Sequence, residues 1–284
     1  MSPRNGRRAA IPALLCQIIG LCVVSQAALG QARYDDHALR DRFKISLGRF
    51  ETQDSSTTLR IDDRSLRLGT LLDLEKDLNV EDSASVFRLD GYYRFNRAHR
   101  LEWTYYSLDR NGSSGLSRDI RIGDVEFPLG FTIDTGLDIQ LVELGYVWSF
   151  INVEPYEFFL GGGLNVRDIT LTAVGTGLLA GTERRFDNSG TLPMPTATIG
   201  GRYNVLDKLS LNLKMEVFGI KFDDQSGRLQ DSYFLVEYGI TKNFGIGGGI
   251  NAYNIDLEFA RDDDFSGELK SSYRGILFYL TGSF

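Results

Sequence analysis

Apolar and polar residues alternate along most of this chain. Phe87, Leu89, Gly91, Tyr93 and Phe95 occupy every second position, and Arg88, Asp90, Tyr92 and Arg94 fill the places between them. After a turn at Asn96–Ala98, Leu101, Trp103 and Tyr105 alternate with Arg100, Glu102, Thr104 and Tyr106. Successive side chains of a strand point to opposite faces, so this period of two predicts strands with one apolar and one polar face. The same phase runs through Phe43–Leu47, Val142–Phe150, Phe158–Val166, Ala197–Val205, Leu209–Val217, Phe234–Ile240 and Phe244–Ile250. Short turns are expected at Asn152–Pro155, Asp207-Lys208 and Lys242-Asn243, and longer connections around 110–133, 168–193, 223–230 and 259–268.

Short and long connections strictly alternate, as they do when one rim of a membrane barrel is trimmed and the other carries loops. Tyr93, Phe95, Trp103, Tyr146, Trp148, Phe150, Tyr203 and Tyr238 sit near strand ends, where an interfacial aromatic girdle belongs. A soluble sandwich also alternates, but it explains neither feature. The expected fold is all-β, a transmembrane antiparallel barrel. With the last strand the runs number ten; weaker runs at Thr57–Ile61 and Gly69–Leu74 raise the expected count to about twelve. Ten, with that pair as an external hairpin, is the second choice. Ile120–Phe131 reads as another hairpin above the membrane.

The chain start changes the picture of the ends. Arg4, Arg7 and Arg8 precede an apolar stretch from Ala9 to about Val24, followed by small residues at Ser25, Ala27, Ala28, Gly30 and Ala32. This is the layout of a cleaved signal peptide, expected over residues 1–32, with the barrel over 33–284. The apolar core is shorter than the ~20 residues of a spanning helix. Cys16 and Cys22 both lie in that segment and follow leucines rather than the small residue of a lipoprotein signal, so the remaining chain carries no thiol. Removing three arginines leaves 28 basic against 38 acidic residues, a net charge of −10. That balance disfavours a nucleic-acid partner, which needs a basic footprint.

The chain ends Tyr273-Arg-Gly-Ile-Leu-Phe-Tyr-Leu-Thr-Gly-Ser-Phe284, with Ile276, Phe278, Leu280 and Phe284 on one face. This resembles the C-terminal assembly signal of bacterial outer-membrane β-barrel proteins, although Gly282 stands where a bulky residue is usual. In general character the chain looks like the small monomeric barrels of the OmpA, OmpX and OmpW type. The resemblance implies an outer-membrane location, contact with outer-membrane lipid and lipopolysaccharide, handling by the barrel assembly machinery, and a monomer.

Candidate chemistry concentrates on the polar face. Lys44, Arg88, Arg94, Arg167, Arg202 and Lys214 point into the expected lumen with Asp90, Glu102, Glu143, Glu157, Glu216 and Glu237. Charges in a narrow barrel must pair, and equal numbers of each sign suggest a lumen closed by charge pairs. A strongly selective pore would show an excess of one sign. His37, in the N-terminal tail, and His99, at a periplasmic turn, are both remote from an outer-rim catalytic site. Acidic residues at Asp223, Asp224, Asp231, Asp262, Asp263, Asp264 and Glu268 are dense enough to hold calcium, but their spacing matches no EF-hand loop and they read as solvated loop surface. The glycines of 161–163 and 247–249 read as relief of crowding, since no Lys-Ser/Thr follows to make a phosphate loop. No catalytic residue, metal or cofactor is expected. The expected role is non-catalytic, in envelope structure or surface interaction; the alternative is a narrow porin-like channel for small solutes.

Overall fold

A computed structural model describes residues 42–62, 69–177, 182–222, 225–262 and 265–284. The expected signal peptide and His37 lie outside the described residues, as do Asp223, Asp224, Asp263 and Asp264. Strands are β1 (Phe43–Ile61), β2 (Leu72–Asp73), β3 (Ala84–Arg94), β4 (His99–Gly115), β5 (Ile120–Ile122), β6 (Val125–Phe127), β7 (Thr132–Val153) and β8 (Tyr156–Thr176). They continue with β9 (Glu183–Leu206), β10 (Leu209–Phe222), β11 (Gln225–Gly239), β12 (Phe244–Asp262) and β13 (Phe265–Ser283). One helical turn, α1 (Leu74–Asp77), follows β2.

Neighbours in sequence pair antiparallel in the order β1-β3-β4-β7-β8-β9-β10-β11-β12-β13, and β13 returns to β1. The register closing the ring runs from Lys44 opposite Ser283 to Ile61 opposite Gly267. Phe43 and Phe284 exchange backbone hydrogen bonds of 3.0 and 2.8 Å where the two ends meet. The barrel therefore has ten strands, not twelve. Thr57–Ile61 is the upper part of β1, and Gly69–Leu74 supplies only β2 and the start of α1, with β2 leaning on β1. Ile120–Phe131 does contain a hairpin, β5–β6.

The short turns lie where the alternation breaks, at 95–98, 154–155, 207–208 and 240–243. The long connections are different from the expectation. Strands β7, β8 and β9 have 22, 21 and 24 residues, about twice the ~9–11 that cross a bilayer, so the wall rises far beyond the apolar belt. Stretches such as 168–176 and 183–193 are polar outside and carry no apolar stripe facing lipid, which is why sequence alternation marked them as loops. Asp231 is thereby corrected from a loop position to the inward face of β11, 1 % exposed. Glu268 likewise lies in β13, with Arg60 3.6 Å away.

The outer face carries the belt. Leu47, Phe87, Leu144, Leu160, Ile199, Leu213, Phe234, Ile246 and Leu280 are all large, apolar and exposed. An isolated protein would aggregate through such a surface; lipid solvates it. Tyr93 and Phe95, Trp148 and Phe150, and Tyr156 and Tyr203 form ring pairs 5.3, 6.1 and 5.1 Å apart at the end carrying the short turns. His99 belongs to this girdle, its Nδ1 2.6 Å from the Tyr146 hydroxyl.

Above the belt the wall is less regular. Strand β3 stops early, and residues 78–82 patch the exposed upper edge of β4. Val80 bridges Gly112, and the Glu81 amide donates to the Asn111 carbonyl at 3.0 Å. A seam also opens between β9 and β10. Their pairing runs only from Leu209 opposite Leu206 to Val217 opposite Ala197, although β9 continues outward with β8 and β10 with β11. Pro193 and Pro195, lacking a backbone donor, stand at the start of that seam.

Inward glycines make room for rings. A Cβ on Gly247 would fall inside the Tyr279 ring, and one on Gly275 inside the Phe50 ring. We expect Gly247→Val to destabilise the barrel by about 1–3 kcal/mol, the usual penalty of overpacking. Gly219→Ala, which meets open space, should leave stability unchanged. Urea unfolding followed by heat-modifiable gel migration reads the difference.

Candidate functional site

The lumen is filled in three layers. At the outer mouth the segments between β1 and β3, and between β4 and β7, fold inward over the barrel. Leu72, Leu74, Leu78 and Val80 from the first meet Leu116, Ile120, Ile122 and Phe127 from the second. Ile133, Leu137, Leu171, Ala173 and Phe186 complete this cluster from the inner faces of β7, β8 and β9. Leu74, Leu78, Phe127 and Ile133 are wholly buried. Two backbone bonds tie the segments together, from the Thr70 amide to the Arg121 carbonyl (2.9 Å) and from the Gly123 amide to the Ile61 carbonyl (3.1 Å). An apolar plug of this kind needs no partner beyond dry packing.

An aromatic layer lies beneath. Tyr253 and Tyr273 stack with centroids 4.6 Å apart, Phe50 meets Tyr273 edge-on at 5.7 Å, and the Tyr106 and Tyr273 hydroxyls are 3.0 Å apart. The Arg167 guanidinium lies 4.3 Å over the Tyr253 ring, a cation held by a π-face. Its Nε donates to Asn165 at 3.0 Å, and Asn165 in turn donates to Glu143 at 3.1 Å.

The third layer holds the charges within the belt. Arg94 binds the Glu157 carboxylate through both terminal nitrogens at 3.1 Å, and Arg100 and the Ser149 hydroxyl reach the same oxygen. Lys44 donates to Glu237 at 2.7 and 2.5 Å. Arg88 chelates Asp90, with Thr104 donating to Asp90 at 2.8 Å, and Arg88 also donates to the Tyr233 hydroxyl, which donates to Asp231 at 2.7 Å. Lys214 stands among three carboxylates, 3.0 Å from Glu102, 3.6 Å from Glu143 and 2.5 Å from Glu216. Arg202 faces the same interior and donates to Asn204 at 3.1 Å.

All twelve charges read from alternation thus join ion pairs or hydrogen bonds with one another or with polar lumen side chains. Alternation missed others. Arg100 has the right phase but was not singled out, and it joins Glu157 to Glu102. Asp231 was read as loop, and Arg110, bonded to Glu75 of α1 at 2.9 Å, depends on the fold of a connection. Tyr106, Tyr233, Tyr253 and Tyr273 interrupt an otherwise charged face; inward tyrosines at strand phase were the available signal. At the other end of the chain, Phe278, Leu280 and Phe284 face outward and are exposed.

Among the described residues no group of histidine, cysteine or acidic side chains is arranged to hold a metal ion, and no helix is long and apolar enough to cross a membrane. No family model and no curated protein matches the sequence. Solved structures do match in shape. The outer-membrane protease OmpT from Escherichia coli aligns with a TM-score of 0.50 at 11% identity, over 86% of this chain and 97% of that one. The transport unit of the autotransporter AIDA-I from Escherichia coli gives 0.41 at 9% identity, covering 94% and 97%. The translocator domain of NalP from Neisseria meningitidis gives 0.41 at 10%, covering 96% of each chain. At such identities the likeness concerns the fold. The closed antiparallel ring and the apolar belt with its aromatic girdle are those of a membrane-spanning barrel, and the likeness to OmpT is one of fold: the chain has the fold of an outer-membrane β-barrel.

Proposed function

We propose that this protein is a non-catalytic, non-conducting outer-membrane barrel that works through its outer surface, in envelope structure or surface contacts. The observation carrying this reading is the stacked filling of the lumen, by an apolar plug, a tyrosine layer and a charge network in series. A conducting pore needs a continuous hydrated path, and the apolar plug interrupts it. The charge network alone would leave room for water; the dry plug above it does not.

The non-catalytic reading draws support from the position of the acid–base groups. The buried carboxylates are engaged by cations and hydroxyls, and His99 sits in the lipid-facing girdle. The belt is the surface that meets outer-membrane lipid, and the polar wall above it is at the height of lipopolysaccharide sugars. Ile276, Phe278, Leu280 and Phe284, on the seam strand β13, are the residues we assign to recognition by the assembly machinery. The ring closes on its own first strand, consistent with a monomer.

Two measurements test the closed lumen. The refolded barrel in a planar lipid bilayer should insert without discrete conductance steps, and replacing Leu74, Leu78 and Phe127 together by serine should introduce them. Steps in the unaltered protein would favour the narrow-channel alternative. The second concerns the network. Glu157→Ala leaves Arg94 buried without its carboxylate and Arg100 with Glu102 alone, and should cost about 3–5 kcal/mol in urea unfolding. Glu51→Ala removes an exposed partner of Arg49 and should cost less than about 1 kcal/mol.

A further inference from the structure

The charges are balanced over the whole lumen but not over its open space. A cavity of about 170 Å³ occupies the half of the lumen nearer the short turns, from Lys44, Arg202 and Glu237 up to Arg88, Lys214 and Tyr233. Its charged lining comprises six cations, Lys44, Arg88, Arg94, Arg100, Arg202 and Lys214, and only four carboxylates, Asp90, Glu102, Glu157 and Glu237. Glu143 and Glu216 do not line it. They lie behind Lys214, 6 % and 1 % exposed, whereas the Lys214 side chain keeps 23 % of its surface. Of that cluster, Lys214 and Glu102 therefore border the space, and Glu143 and Glu216 do not. Arg94 and Arg100 both reach Glu157, and Arg100 also pairs with Glu102.

We propose that this cavity is a periplasm-facing binding pocket for a small oxyanion or carboxylate. Walls of low dielectric focus the field of the excess cations into the space. Arginine forks suit planar or tetrahedral oxyanions, and the hydroxyl of Tyr92 borders the same volume and can donate to one. The volume limits the ligand, since a cavity of roughly 150 Å³ takes a benzene-sized molecule. Sulfate, phosphate or a short dicarboxylate fits; a nucleotide does not. The tyrosine layer and the apolar plug make the pocket blind, so the ligand enters and leaves on the side of the short turns.

The proposal rests on the closed-lumen reading, and conductance separates the two. A barrel that conducts sinks both; a silent barrel that binds nothing sinks only the pocket. The test is calorimetric titration of the refolded barrel, in a nonionic maltoside detergent at constant ionic strength, with sulfate and, separately, succinate. Saturable heat is expected for at least one probe, sulfate alone marking an inorganic oxyanion and succinate alone an organic acid. Arg202→Gln and Lys44→Gln should each weaken binding about tenfold, the loss of one charge-assisted hydrogen bond. Lys208→Gln, in a short turn outside the cavity, should change nothing. No saturable heat with either probe, or undiminished affinity in both lumen variants, overturns the proposal. Should neither variant refold, fluorotyrosine NMR of the unaltered protein decides. A saturable shift at Tyr92, which borders the cavity, without one at the outward-facing Tyr105 supports the pocket, and no shift at Tyr92 overturns it.

Discussion

A ring of ten strands immersed in lipid leaves its polar side chains only one place to go, and that place is narrow. Every cation drawn inside must find a partner from the protein, because too little water fits to solvate it. The pairing of Arg94 and Arg100 with Glu157, of Lys44 with Glu237 and of Arg88 with Asp90 answers this demand. The Arg94–Glu157 and Lys44–Glu237 bonds join strands that are not neighbours in the ring, so the network also ties parts of the wall together across the lumen. The inward glycines follow from the same crowding: where Tyr279 and Phe50 swing across, the facing positions hold no side chain.

Much of this was legible in the alternation. Within the belt each strand has one face in lipid and one in the lumen, two solvents so unlike that residue type reports direction without ambiguity. The inward phase of residues such as Lys44, Arg88 and Glu157 was readable for that reason. Above the belt the contrast fades. The outside of Asp168, Thr170 and Ser189 meets water, so these positions look like loop although they are strand. The plug was illegible for a further reason. Leu74, Leu78 and Phe127 belong to short irregular connections whose burial depends on the wall around them, and local pattern carries no trace of it.

The two halves of the molecule consequently rest on different physics. The lower half is oriented by lipid outside and ion pairs inside. The upper half is a small globular core inverted into a cylinder, its apolar side chains pointing to the axis and its polar ones to solvent. The upper core closes the lumen that the lower half builds.

The seam between β9 and β10 has a mechanical meaning. Within the bilayer the hoop of hydrogen bonds is unbroken, and any gap there would leave amides facing hydrocarbon. Above it the hoop is split, and water can satisfy the edges. Amide exchange in the upper reaches of these two strands should therefore outpace that of their lower halves, local opening being cheapest where the fewest bonds must part. The cylinder is a sleeve with a vent cut into its collar, able to breathe at the top while its hem stays sewn.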